Sequence, residues 1–229
     1  LTSDYDHTLK SSKVIRYSGY HELAYLHPGR FKPDRSVLNE LGVSENEKYV
    51  IIRFVAWNAS HDKGHKGISV ENKIRSVKEF SKYAKVFISS ESELHEGLKV
   101  YKIRIDPYRL HDAMAFASLL FAESFTMPAE CSVLGTPSVI IHNNVALQLK
   151  EQQLKYGLCF KYDESEEGQR AAIQRGIELL NTPNLKAEWG KRKDNMLKDK
   201  IDVTAFLVWF VENWPESFKI MKENPDYQL

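Results

Sequence analysis

The stretch Ala122-Glu-Ser-Phe-Thr-Met-Pro-Ala-Glu-Cys-Ser-Val-Leu-Gly-Thr-Pro137 decides the fold. It follows the apolar run Phe116 to Phe121 and precedes the apolar segment Ser138 to His142. Strand, sharp turn, short helix, glycine turn, strand is one βαβ unit of a parallel sheet. Ser124 or Thr126 can cap the helix, and Pro128 fits its first turn, where a missing N–H is tolerated. A hydroxyl-rich helix N-terminus at the carboxyl end of a parallel strand is where such sheets hold phosphate. One turn on, Glu130 shares the face of Thr126. It also falls inside the apolar stripe of Met127, Cys131 and Leu134. A carboxylate placed there should be partly covered and needs a hydrogen-bonding partner. A ribose diol would serve; so would solvent or a nearby lysine, and the spacing does not choose between them.

Upstream, Tyr49 to Val55 is a nearly continuous apolar run, the mark of a strand buried on both faces. A polar loop, Asn58 to Gly67, follows, and then a helical period over Glu71 to Tyr83. Strands are predicted at Lys85 to Ser89 and Tyr101 to Ile105, a helix over Leu110 to Ser118, and a strand at Leu119 to Phe121. Downstream come a helix over Val145 to Tyr156, a strand at Leu158 to Tyr162 and a helix over Gly168 to Leu180. This alternation predicts an α/β fold, a doubly wound Rossmann-like parallel sheet of about six strands with helices on both faces.

That sheet domain occupies residues 49–184. Residues 1–48 read as an arm or linker with a short strand at Val14 to Tyr17 and a short helix at Arg35 to Leu41. Residues 185–229 are helical and separately organised. There Val203, Phe206, Leu207, Phe210 and Trp214 fill one stripe, and Val208, Trp209 and Val211 extend it nearly all round. Burial on more than one side is expected, against another domain or, as a sharper reading, a membrane surface. Pro215 should kink the helix.

Composition narrows the function. Lysine plus arginine total 32 against 31 acidic residues, so nothing points to nucleic acid as the partner. The longest apolar run, Ala205 to Val211, is too short to span a bilayer. With no charged-then-apolar leader and only Cys131 and Cys159, a reducing cytoplasmic setting is the expectation. The chain begins at Leu1, not Met, and reads as a fragment of something longer.

Four segments carry a resemblance: Gly19-Tyr-His-Glu-Leu-Ala-Tyr-Leu-His-Pro28; Arg53-Phe-Val-Ala-Trp-Asn-Ala-Ser-His-Asp62; Glu123-Ser-Phe-Thr-Met127 with Leu134-Gly-Thr-Pro137; and Lys200-Ile-Asp-Val-Thr-Ala-Phe-Leu-Val-Trp209. Together they resemble an uncharacterised GT-B-like family described as predicted glycosyltransferases. The part from Tyr49 to Asn224 is similar to the C-terminal half of GT-B glycosyltransferases and, more distantly, of UDP-N-acetylglucosamine 2-epimerases. The resemblance implies a domain that binds the nucleotide half of a UDP-sugar, with an unknown acceptor held by an N-terminal GT-B domain missing from this chain. It implies no cofactor and no metal. On it, Glu130 grips the ribose, and Ser124, Phe125 and Thr126 form the turn that meets the diphosphate. Tyr108 and Arg109 lie in the loop where the base sits. The loop Trp57 to Gly67 departs from the Gly-rich pattern, and Asn58, Ser60, His61, Lys63, His65 and Lys66 suggest a side-chain clamp in its place.

Arg53, inside an apolar strand, could reach a diphosphate or form a structural ion pair. His21, Glu22 and His61 are candidates for acid/base work, with a tyrosine-packed hinge as the plainer reading of the first two. His61 and His65 have the spacing of a helical zinc pair, but Gly64 and Gly67 oppose a helix and further ligands are missing. No GxGxxG or GxxxxGKS motif occurs. The chain alone is expected to be inactive; its alternatives are a sugar epimerase and a non-catalytic interaction module.

Overall fold

The computed structural model describes residues 1–57, 64–144 and 146–228. Two short strands, β1 (Thr2–Ser3) and β2 (Arg16–Tyr17), pair in parallel, so the arm carries a little sheet of its own. One-turn helices α1 (Leu23–Leu26) and α2 (Val37–Glu40) follow. The main alternation is β3 (Tyr49–Phe54), α3 (Val70–Phe80), β4 (Lys85–Ser90), α4 (Leu110–Phe116), β5 (Leu119–Ala122), α5 (Thr126–Leu134), β6 (Ser138–Ile141), α6 (Leu147–Leu154), β7 (Cys159–Tyr162) and α7 (Glu166–Asn181). Three further helices end the chain: α8 (Leu185–Lys198), α9 (Val203–Glu212) and α10 (Glu216–Glu223).

The strands β3 to β7 form one parallel sheet in the order β4-β3-β5-β6-β7. Alternate side chains of a strand point to opposite faces, and the core divides accordingly. Val50, Ile52, Phe121 and Val139 pack with Phe80, Ile173 and Leu180 on one side. Tyr49, Ile51, Leu120 and Ala122 pack with Leu38, Met114, Met127 and Cys131 on the other. From β3 the chain winds first to β4 on one side and then returns to β5 on the other. The winding therefore reverses between β3 and β5, and in open parallel sheets ligands bind outside the strand ends at such a reversal.

Among the described residues the main sheet has five strands where about six were expected. Tyr101 to Ile105 contributes only the single bridge of Lys102 with Ile88, after a 3₁₀ turn over Glu96–Tyr101. Its alternating pattern reflects an edge position, with Lys102 and Arg104 exposed between half-buried neighbours.

Residues 1–48 and 185–229 pack on each other. Ile15, Tyr17, Tyr20 and Leu23 share one core with Trp189, Val203, Phe206 and Phe210. The Thr204 hydroxyl donates to the Ala24 carbonyl at 2.6 Å, and Arg30 pairs with Asp202 at 2.7 Å. Lys200, only 7% exposed, bridges Asp4 and Glu151. Within this chain α9 is covered on one side. It buries Val203, Phe206 and Phe210, while Val208 and Val211 face outward. Pro215 separates α9 from α10. Among the described residues no helix is long and apolar enough to cross a membrane.

Candidate functional site

The carboxyl ends of β3, β5, β6 and β7 deliver Val55–Trp57, Glu123–Phe125, His142–Asn144 and Asp163–Glu164 to one edge of the sheet. Two of the carboxylates there are structural clasps. Glu123, with no exposure, accepts the Val55 amide at 3.0 Å, the Ile68 amide at 2.5 Å and, more weakly, the Trp57 indole N–H at 3.5 Å. Lys73 lies 3.4 Å from its other side. Burial lifts its carboxyl above the ordinary range, against the pull of Lys73 and the amides.

Glu164 accepts the Lys66, Gly67 and Asn143 amides at 2.9, 3.1 and 3.1 Å and meets His65 Nδ1 at 2.5 Å. Burial opposes its ionisation, but these donors prevail and hold the carboxyl down at about 2. His65 stacks on Trp57 with ring centroids 5.4 Å apart, and His142 stacks on Phe125 at 4.2 Å. The two imidazoles lie 4.6 Å from each other.

His65, His142 and Glu164 offer ligand atoms within 4.8 Å of one another and are the described group best placed to hold a metal ion. Glu164 already takes four N–H donors, however, and His142 Nδ1 accepts the Asn144 amide at 3.0 Å. The trio is arranged as a hydrogen-bonded clasp.

The turn after β5 is arranged differently. Phe125, neither Ser124 nor Thr126, occupies the N-cap of α5, and no side chain caps that helix. The Ser124 hydroxyl is sealed from solvent and has no partner among the described residues. The first turn of α5 thus presents uncapped N–H groups, among the described residues, and the positive end of its dipole at the reversal point of the sheet. Gly135, at φ 75°, closes the helix in the left-handed conformation glycine tolerates.

Glu130 is 7% exposed, as its place in the apolar stripe requires. Its Oε1 accepts the Tyr25 hydroxyl at 2.9 Å and lies 3.0 Å from His111 Nε2. Tyr25 comes from α1, so the segment containing His21 and Glu22 is brought against α5. Glu22 itself is buried, with Oε2 unpaired and its carboxyl pushed up by burial. His21 packs on Tyr25 at 6.1 Å.

The remaining candidates are dispersed. Arg53 pairs with Glu91 and donates to the Ser89 hydroxyl. Arg109 is buried and engaged by Glu40, Asp34, Asp112 and Ser36, whereas Tyr108 is 75% exposed. Thr126 is exposed. Asn58, Ser60, His61 and Lys63 lie outside the described residues.

Glu123, His142 and Glu164 had a legible signal, since each polar residue lies within two positions of the end of a strand of a wound sheet. His111 and Tyr25 had none, because their roles depend on contacts 19 and 105 residues away in sequence.

The fold is that of a GT-B Rossmann-like domain. A Listeria monocytogenes protein named for UDP-N-acetylglucosamine 2-epimerase superposes with a TM-score of 0.58 at 11% identity, over 88% of this chain and 54% of its own. The spinosyn rhamnosyltransferase SpnG, solved with spinosyn aglycone, gives 0.52 at 13% over 91% and 54%. The glycosyltransferase VinC in complex with dTDP gives 0.52 at 12% over 76% and 43%. The chain belongs to the DUF354 family, described as a protein of unknown function, whose model matches residues 4–201. Among curated proteins none matches the sequence. The chain spans about half the length of the solved structures it resembles.

Proposed function

We propose that this chain is the nucleotide-sugar-binding half of a GT-B-like glycosyltransferase of the predicted-glycosyltransferase kind, using a UDP-sugar. One observation carries the reading. At the reversal point of the sheet, α5 begins uncapped beside the unpaired Ser124 hydroxyl, with Glu130 six residues further on. Free amides and a hydroxyl suit a diphosphate, and a buried carboxylate suits a ribose hydroxyl.

In this reading the leaving diphosphate lies over the first turn of α5. The helix dipole and N–H groups oppose the charge that develops there as the glycosidic bond breaks, and no metal is required. His65 and His142, stacked on Trp57 and Phe125, line the same edge. The acceptor and the base that deprotonates it belong to a second domain.

Calorimetric titration with UDP tests the proposal. Wild-type protein should bind, and Glu130→Ala should bind about tenfold more weakly, as for loss of a hydrogen bond to a charged group. Equal heats from the two proteins, or none from either, would count against the site.

The imidazole pair beside Glu164 favours one second reading, a sugar epimerase, which needs acid/base groups at this edge. Formation of an epimerised product from UDP-N-acetylglucosamine by a protein containing both domains would select it.

A further inference from the structure

The edge of the sheet gathers two imidazoles and a carboxylate in one hollow. His65 lies between β3 and α3, His142 follows β6 and Glu164 follows β7, and one ligand atom from each lies within 4.8 Å of the others. Their side chains are 9%, 11% and 5% exposed, so the hollow is nearly dry. A hydrogen-bonded clasp needs one imidazole, and His65 supplies it, with Nδ1 at 2.5 Å from Glu164 Oε1. His142 Nδ1 stands 3.9 Å from the same oxygen, too far for a hydrogen bond. In a tetrahedral zinc centre, bonds of about 2.0–2.1 Å put neighbouring ligand atoms about 3.3 Å apart. The two separations straddle that value, each within about 1 Å of it.

We propose that His65, His142 and Glu164 form a site for a divalent transition metal, with Zn²⁺ the best match. Two imidazoles, one carboxylate and a fourth position left for water are the donor set of an open zinc centre. The hydrogen bonds of the clasp accommodate the ion. Glu164 Oε2 is fixed by the Lys66 and Gly67 amides and Oε1 by the Asn143 amide, the kind of bonds that orient a ligating carboxylate. These three stay, and the second lone pair of Oε1, now facing His65, goes to the metal. The His65 proton moves from Nδ1 to Nε2. There the Asn144 carboxamide, 3.0 Å away, turns its oxygen to accept it. On His142, Nδ1 exchanges the Asn144 amide at 3.0 Å for the metal. Trp57 and Phe125 brace the two rings by stacking at 5.4 and 4.2 Å. Trp57 does so at φ 53°, a conformation a bulky residue keeps only where its surroundings enforce it. The ligands that local spacing around His65 could not supply thus come from the ends of β6 and β7. Nothing in this site depends on a nucleotide.

Protein dialysed against EDTA and titrated calorimetrically with ZnCl₂ should bind a single Zn²⁺ per chain. Co²⁺ in its place should give the visible absorption of a tetrahedral centre. His142→Ala should weaken Zn²⁺ binding by at least about tenfold, and Asn144→Ala, which removes the acceptor of the His65 proton, by about tenfold. His7→Ala, at an exposed histidine of the arm, should bind as wild type does. Absence of stoichiometric binding to wild-type protein would overturn the site, as would several weakly held ions without a tetrahedral spectrum. An unchanged affinity in His142→Ala, with circular dichroism matching wild type, would overturn it too. Should His142→Ala fail to fold, the exposed Asn144 decides, and wild-type affinity in Asn144→Ala would overturn the proposal.

Discussion

The two turns that flank the reversal point of the sheet make opposite use of their backbone. After β3, Val55, Lys66, Gly67 and Ile68 all point their amides at protein carboxylates, and α3 is capped by the Ser69 hydroxyl. After β5, α5 starts without a cap and Ser124 is left unpaired. Donors already satisfied by buried carboxylates stabilise the fold and have little left to offer an anion. Donors without partners contribute nothing to folding and are ready for a ligand. The contrast assigns architecture to the first turn and recognition to the second.

The sharpest way to break it is Glu123→Ala. That change orphans two amides and the Lys73 ammonium, and should cost about 3 kcal/mol or more in denaturant unfolding. A loss below about 1 kcal/mol, within the range of an ordinary surface change, would mean the first turn is not held as described.

Glu164→Gln should cost about 2 kcal/mol near neutral pH. The sign follows from the carboxyl being held at about 2 in place of its usual 4.5. Its contribution is complete above the unfolded value and disappears as pH falls through the folded one. Wild-type stability should therefore decline between those two pH values, and the variant should show a flatter acid limb in thermal melts.

The paired serines give the smaller effects. Ser69→Ala removes a helix cap and should cost about 1 kcal/mol of stability, with UDP affinity unchanged. Ser124→Ala removes a hydroxyl that bonds nothing in the protein, so its unfolding free energy should shift by less than about 0.5 kcal/mol. Its UDP affinity should nevertheless drop about threefold or more, one ordinary hydrogen bond. The reverse pattern for the two serines would invert the assignment of the turns.

Much of this frame was readable from residues. Tyr49 to Val55 and Ser138 to His142 read as buried strands because both their faces are covered. The focal βαβ unit was placed to within a residue or two, and the covered position of Glu130 followed from its stripe. The failures are equally specific. Ser124 and Thr126 were natural caps by type, yet the turn presents Phe125 at that position. Tyr101 to Ile105 had a strand period that an exposed edge can produce without pairing. Arg53 had two open readings, and its contact with Glu91, 38 residues away, was not legible in either.

What the chain determined by itself is the layered parallel sheet with its order of elements. Burial of apolar surface is written into local periodicity, which any window of ten residues displays. What only the tertiary structure decided is which polar groups meet. Tyr25 reaches Glu130 across 105 positions, and the Lys66 amide reaches Glu164 across 98. Hydrogen bonds of that separation leave no periodic trace, because their partners become neighbours only once the sheet has wound.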